Sequence, residues 1–123
     1  MKSTKIFSIA MGLAALAAPA WAHHSGAMFD RTKEQTIVGT VKEFNWTNPH
    51  SSFGVEVMKA DGGEELWDVE MNGPNNLMRQ GWKRTTLKPG DKISVIINPL
   101  RDGKPGGWYV GVTLPDGKVL HTD

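Results

Sequence analysis

The chain has no cysteine and a single tyrosine in 123 residues. Without cysteine there are no disulfide staples, no thiolate metal sites and no thiol nucleophile. A bound metal would have to draw on imidazole, carboxylate, thioether, backbone or a terminal amine. Long apolar runs are equally scarce. The one continuous run, residues 6–18, holds 13 residues, well short of the roughly 20 that a membrane-spanning helix needs. Catalytic signatures are missing too: there is no G-x-S-x-G, no phosphate-binding glycine loop and no H-E-x-x-H. Ser25 stands beside His24 with no third group to orient the pair, so no nucleophilic triad is implied.

What the amino terminus does contain has the order of a secretion signal. Lys2 and Lys5 supply positive charge, residues 6–18 the apolar stretch, and Ala20-x-Ala22 a small-residue cleavage site. Residues 1–22 are therefore expected to be removed on export to the periplasm. The mature chain would hold 101 residues, with 12 Lys+Arg against 13 Asp+Glu, a formal net charge of −1. No basic excess remains to point to nucleic acid as a partner. Only 33 of the 101 residues are hydrophobic, which limits the chain to one small core.

The mature chain divides into an arm, residues 23–34, and one β domain, residues 35–123. Met28 and Phe29 are the arm's apolar anchors. Residues 35–46 read as a strand, with Gly39 marking a bulge or bend. Asn48-Pro49 marks a turn. Residues 51–59 alternate, with Phe53, Val55 and Val57 on one face. Residues 64–71 do the same with Trp67, Val69 and Met71. Residues 73–81 predict a short helix, with Pro74 in its first turn, Gly81 at its stop, and Leu77 and Met78 facing the core. Two more strands follow, one placing Ile93, Val95 and Ile97 inward and the other Trp108, Val110, Val112 and Leu114. A short piece at residues 118–121 ends the chain. Three strands, a helix and then further strands predict a small OB-like barrel of five to six strands, with the helix between strands 3 and 4. An open sandwich is the alternative.

Chemistry concentrates on histidine. If the mature chain starts at His23, its α-amine and ring nitrogen can chelate one ion. A further imidazole would complete an all-nitrogen set, a histidine brace, of the kind that suits Cu(II). His50, just after the Asn-Pro turn, is the expected partner. His24 is an alternative ligand through the amine and its own backbone nitrogen, and His121 a weaker one near the terminus. Met28, Asp30, Asp68 and Glu70 are candidates for axial or supporting roles. Trp46 and Trp82, at element ends, are candidates for ligand contact; indoles in small barrels otherwise serve the core. The functional expectation is a periplasmic binding protein carrying copper. The alternative is a metal-free adaptor binding a protein or small ligand near Trp46 and Trp82. Catalysis is not expected of so small a chain.

Several motifs occur together: His23-His24-Ser25, Trp46-Thr47-Asn48-Pro49-His50, Gly73-Pro74-Asn75, Arg79-Gln80-Gly81-Trp82 and Leu87-Lys88-Pro89-Gly90-Asp91. In combination they resemble domain of unknown function 6152, a family of small bacterial periplasmic proteins. The resemblance spans nearly the whole mature chain. It implies export and one small β-rich domain, and assigns no activity. Members often carry an aromatic where this chain has Gly26, and alanine where it has Ser51.

Overall fold

The computed structural model describes residues 26–122. The expected barrel is present. Strands β1 (Gln35–Asn45), β2 (Ser52–Met58) and β3 (Glu64–Glu70) form an antiparallel meander. Helix α1 (Pro74–Arg79) follows, then β4 (Lys92–Pro99), β5 (Gly106–Thr113) and the short β6 (Val119–His121). The sheet order is β3-β2-β1-β4-β5-β6, and a parallel pairing of β3 with β5 closes the first five strands into a barrel. β6 adds to the outside edge of β5.

β1 holds the barrel together because it pairs with β4 through its first half and with β2 through its second, with Thr40 facing both. A strand that serves two neighbours must coil sharply. Gly39 allows this: a Cβ there would sit 2.2 Å from the Glu56 carbonyl oxygen. The bulge itself falls at Lys42, between the pairs Val41–Val55 and Glu43–Gly54. The extra residue changes the inward parity, so Ile37 and Val41 are followed inward by Phe44 three positions later.

A second bulge overturns one expectation. β5 does not place Trp108, Val110, Val112 and Leu114 on one face. Ile96 pairs with Gly111 and Ile97 with Tyr109, leaving Val110 as the extra residue. Tyr109 and Val112 point into the core, and Trp108 turns to the outside of the barrel.

Helix α1 has six residues, too few to be stable alone. It is held by Leu77, which is fully buried. Gly81, at φ +93°, ends it. The Gly81 and Trp82 amides donate back to the Met78 and Leu77 carbonyls at 3.1 and 2.9 Å, a Schellman closure. That reversal sends the Trp82 side chain inward. Met78, expected in the core, is 54% exposed, because a helix this short buries a stripe only one residue wide.

The core holds Phe53, Val55, Val69, Met71, Ile93, Val95 and Ile97 from the strands, together with Trp82 and Tyr109. The Trp82 indole N–H donates to the Tyr109 hydroxyl at 3.2 Å, and the two rings meet edge to face, 5.2 Å apart. Burial pushes the Tyr109 phenol up to about 12, only partly offset by that hydrogen bond.

Two outcomes follow from this core. Tyr109 is the only tyrosine, so its absorbance titration in the native protein should have its midpoint near 12 rather than the ordinary ~10. Between those values the unfolded state has lost a proton that the native state retains. This group's contribution to stability is therefore constant below pH ~10 and falls as pH rises to 12, by about 2–3 kcal/mol in total. A native midpoint near 10 would mean that the ring is solvated. Gly107→Ala should lower stability in urea by about 1–3 kcal/mol, since its Cβ would lie 2.6 Å from the Asn98 carbonyl oxygen.

Candidate functional site

His23 and His24 lie outside the described residues. His50 is exposed, and the loop that carries it is tightly fixed. Ser51 is fully buried. Its hydroxyl accepts from the Thr47 amide and donates to the Thr47 carbonyl, both at 3.2 Å. The Thr47 hydroxyl donates to the His50 carbonyl at 3.1 Å. Ser51 also exchanges backbone hydrogen bonds with Asn72 and Met71. The Asn48–Pro49 peptide is cis. The turn packs on Gly73, where a Cβ would lie 2.7 Å from the Pro49 carbonyl oxygen. Two of the sequence motifs, the Trp46–His50 segment and Gly73-Pro74, are thus halves of one contact.

The His50 ring stands edge to face with Trp108, centroids 5.5 Å apart at 87°. Phe29 reaches the same indole from the arm, at 5.6 Å. The Arg31 guanidinium lies 4.9 Å from its centroid, within cation–π range. The arm is pinned along its length. Phe29 bridges Leu100 and is 1% exposed. The Asp30 amide donates to the Pro99 carbonyl at 2.8 Å, and the Arg101 amide to the Met28 carbonyl at 2.9 Å. The Asn98 amide group donates to the Lys33 carbonyl at 2.8 Å.

Beside this cluster runs a groove of about 220 Å³, lined by Phe29, Leu66, Asp68, Glu70, Leu100 and Lys104 among others. Asp68 and Glu70 therefore belong to one surface with the aromatic cluster. Asp30 does not act as a free carboxylate: it accepts from the Thr32 hydroxyl at 2.6 Å and amide at 3.0 Å. The Thr32 hydroxyl bond is the main reason its carboxyl is held below the ordinary value. Met28 is half-buried, its carbonyl engaged by Arg101.

The remaining candidates stand apart. Trp46 is half-buried and packs edge-on against Phe44 at 5.8 Å. Trp82 is 1% exposed, so its ring is a core element and presents no face to a ligand. His121 pairs with Gly111 on β6, three residues along β5 from Trp108. Among the described residues, no three His, Asp or Glu side chains are grouped to hold a metal ion. The sequence reading passed over Phe29, Arg31 and Trp108 as site residues. A Phe-x-Arg spacing in the arm carries no signal until the Val110 bulge brings Trp108 out to meet it.

Residues 10–109 match the profile of the family described as "Family of unknown function (DUF6152)". The chain belongs to this family. No curated protein matches it. Among solved structures, this DUF6152 chain is similar to the mitochondrial single-stranded DNA binding protein of S. cerevisiae, Rim1, in two crystal structures, one of them selenomethionine-labelled. Each gives a TM-score of 0.51 at 12% identity, covering 67% of this chain and 92% of that one. At that identity the likeness is one of fold.

The ring cluster is directly testable. In Trp108→Ala, the His50 ring-proton resonances should lose the ring-current displacement imposed by an indole 5.5 Å away and move toward free-imidazole positions. Unmoved resonances would mean that the two rings are apart in solution.

Proposed function

We propose that this DUF6152 protein is an exported binding module for Cu(II). His23, freed by removal of residues 1–22, would chelate through its α-amine and ring. His50 would complete the nitrogen set, with His24 as the alternative amino-terminal ligand. The observation that carries the reading is the Phe29–Trp108–His50 contact. Phe29 and His50 both lie within 5.6 Å of one indole, so their centroids are no more than about 11 Å apart. His23 is six residues upstream of Phe29, a reach of up to about 20 Å of extended chain. An amino-terminal chelate is thus within range of the fixed imidazole.

Two further points support the reading. The family match starts at residue 10, inside the apolar run, and so takes in part of residues 1–22. A rigid loop presenting one solvent-exposed imidazole suits a ligand role, because a preset donor loses little freedom on binding. The partner is taken to be a metal ion or a periplasmic protein rather than nucleic acid. The likeness to a single-stranded DNA binding protein is one of architecture. Asp68 and Glu70 in the surface groove would repel a phosphate backbone. A metal-free adaptor is the second reading, favoured by that groove and by Leu66, which is 42% exposed beside it.

Titration of Cu(II) into chain beginning at His23, and into the same chain with its amino terminus acetylated, which removes the amine donor, separates the two. Disturbing even the hydrogen-bond partner of a metal ligand costs 10–100-fold in affinity, so removing a donor should cost about 100-fold or more. The native form should also show nitrogen hyperfine structure in its electron spin resonance spectrum, reduced in His50→Ala. Equal weak binding by both forms would favour the adaptor.

A further inference from the structure

The groove beside Trp108 joins three parts of the fold. β3 contributes Leu66, Asp68 and Glu70, the β4–β5 loop Leu100 and Lys104, and the arm Phe29. Its charged lining is two carboxylates against one lysine, and Glu64, on the same face of β3, continues the acidic run. Its apolar part is supplied by Leu66, Leu100 and Phe29. A fitting occupant is short, cationic and partly flat. In the β3–β5 register Glu70 lies opposite Trp108, the same indole that touches His50. The groove therefore ends where the candidate metal ligand begins.

The chain supplies a segment of that character at the right place. The Arg101 guanidinium Nε donates to the Ala27 carbonyl at 3.1 Å, fixing the arm to within one residue of Gly26. Phe29, three residues on, is itself a groove wall. His23 lies three residues before Gly26, no more than about 11 Å of extended chain. Once freed, residues 23–25 would carry an α-ammonium and two imidazoles within reach of the carboxylates.

We propose that the groove receives residues 23–25 of the processed chain, the α-ammonium and histidine rings set against Asp68 and Glu70. The proposal rests on the reading that the mature chain starts at His23, and it adds what holds that terminus before a metal arrives. The uncleaved precursor has an amide where the ammonium would be, so docking follows processing. A docked terminus keeps its donors beside His50 and lowers the entropy lost on chelation. The carboxylates raise the local concentration of cations at the same mouth.

The test uses metal-free, isotope-labelled protein with a His23 terminus confirmed by mass. Nuclear Overhauser contacts are expected from the His23 and His24 protons to the Leu66 and Leu100 methyls, unchanged on tenfold dilution. They should weaken when the terminus is acetylated, which removes only the ammonium, and disappear in the Asp68→Asn/Glu70→Gln double variant. Cu(II) affinity of that double variant should fall about tenfold, with the Trp108–His50 ring-current signature retained. Absence of the contacts in unmodified protein would overturn the docking, as would contacts that vanish on dilution, which would assign the groove to a second copy. The metal reading is judged separately. Contacts present with equal copper binding by native and acetylated chains would leave docking standing without copper; discriminating copper binding without contacts would do the reverse.

Discussion

Closure of the barrel depends on two backbones meeting where there is no room for a side chain. β5 must lie against β4 on one side and β3 on the other, and it does so through Gly106 and Gly107. A Cβ at Gly106 would sit 2.9 Å from the Asp68 carbonyl oxygen, and one at Gly107 2.6 Å from that of Asn98. The pairing with β3 covers only three residue pairs, Asp68–Gly106 to Glu70–Trp108. A parallel seam that short leaves the upper part of β3 without a partner from β5, and a groove opens along it. Directly after the glycine pair the chain carries an indole. The Val110 bulge then resets parity so that Tyr109, not Trp108, enters the core. The constraint that closes the fold thus also turns a tryptophan outward beside the open part of the seam.

The surface features at this seam follow from what Trp108 can recruit. An outward indole is a large apolar face, and covering it is favourable. Phe29 covers part of it, which draws the arm across the β4–β5 loop. Arg31 adds a cation over the ring. His50 approaches from the β1–β2 loop, which is held by the buried Ser51 and by close approach to Gly73. The amino-terminal arm and the β1–β2 loop therefore meet a strand near the carboxyl terminus at one ring. The Trp82–Tyr109 pair fills the interior instead, so a ligand has to be met on the outside.

Much of the framework could be read from the sequence, and the reasons are local. Alternation at Phe53-x-Val55-x-Val57 and Ile93-x-Val95-x-Ile97 survives because those strands run without bulges inside the pattern. Pro74 and Gly81 bracket the helix because each acts through its own backbone dihedral. What could not be read depends on distant partners. The bulges at Lys42 and Val110 are set by barrel coiling, which no single strand encodes, and one inserted residue is enough to reverse every inward assignment before it. Trp82 follows a glycine stop and was open to either face; only the Schellman reversal commits it to the core. The Phe29–Trp108 contact joins residues 79 positions apart, beyond any spacing rule. His50 was identified by its turn, but its neighbours were not. The two amino-terminal histidines rest on cleavage-site chemistry alone.

A barrel this small has a restricted choice of where to bind anything. Its interior holds Trp82, Tyr109, Phe53 and Met71, each at or below 1% exposed, so a ligand cannot enter without displacing the core. The outer strand faces mix polar side chains with the exposed Val38, Leu66 and Val119, and shallow surfaces hold small ligands poorly. A concave site arises where the sheet stops pairing and a loop overhangs, and the β3–β5 seam meets both conditions. Its lining combines the carboxylates of Asp68 and Glu70 and the amine of Lys104 with apolar walls. The arm that crosses this seam then matters twice. It supplies the wall that makes the groove concave, and its Phe29 covers the same indole that His50 meets.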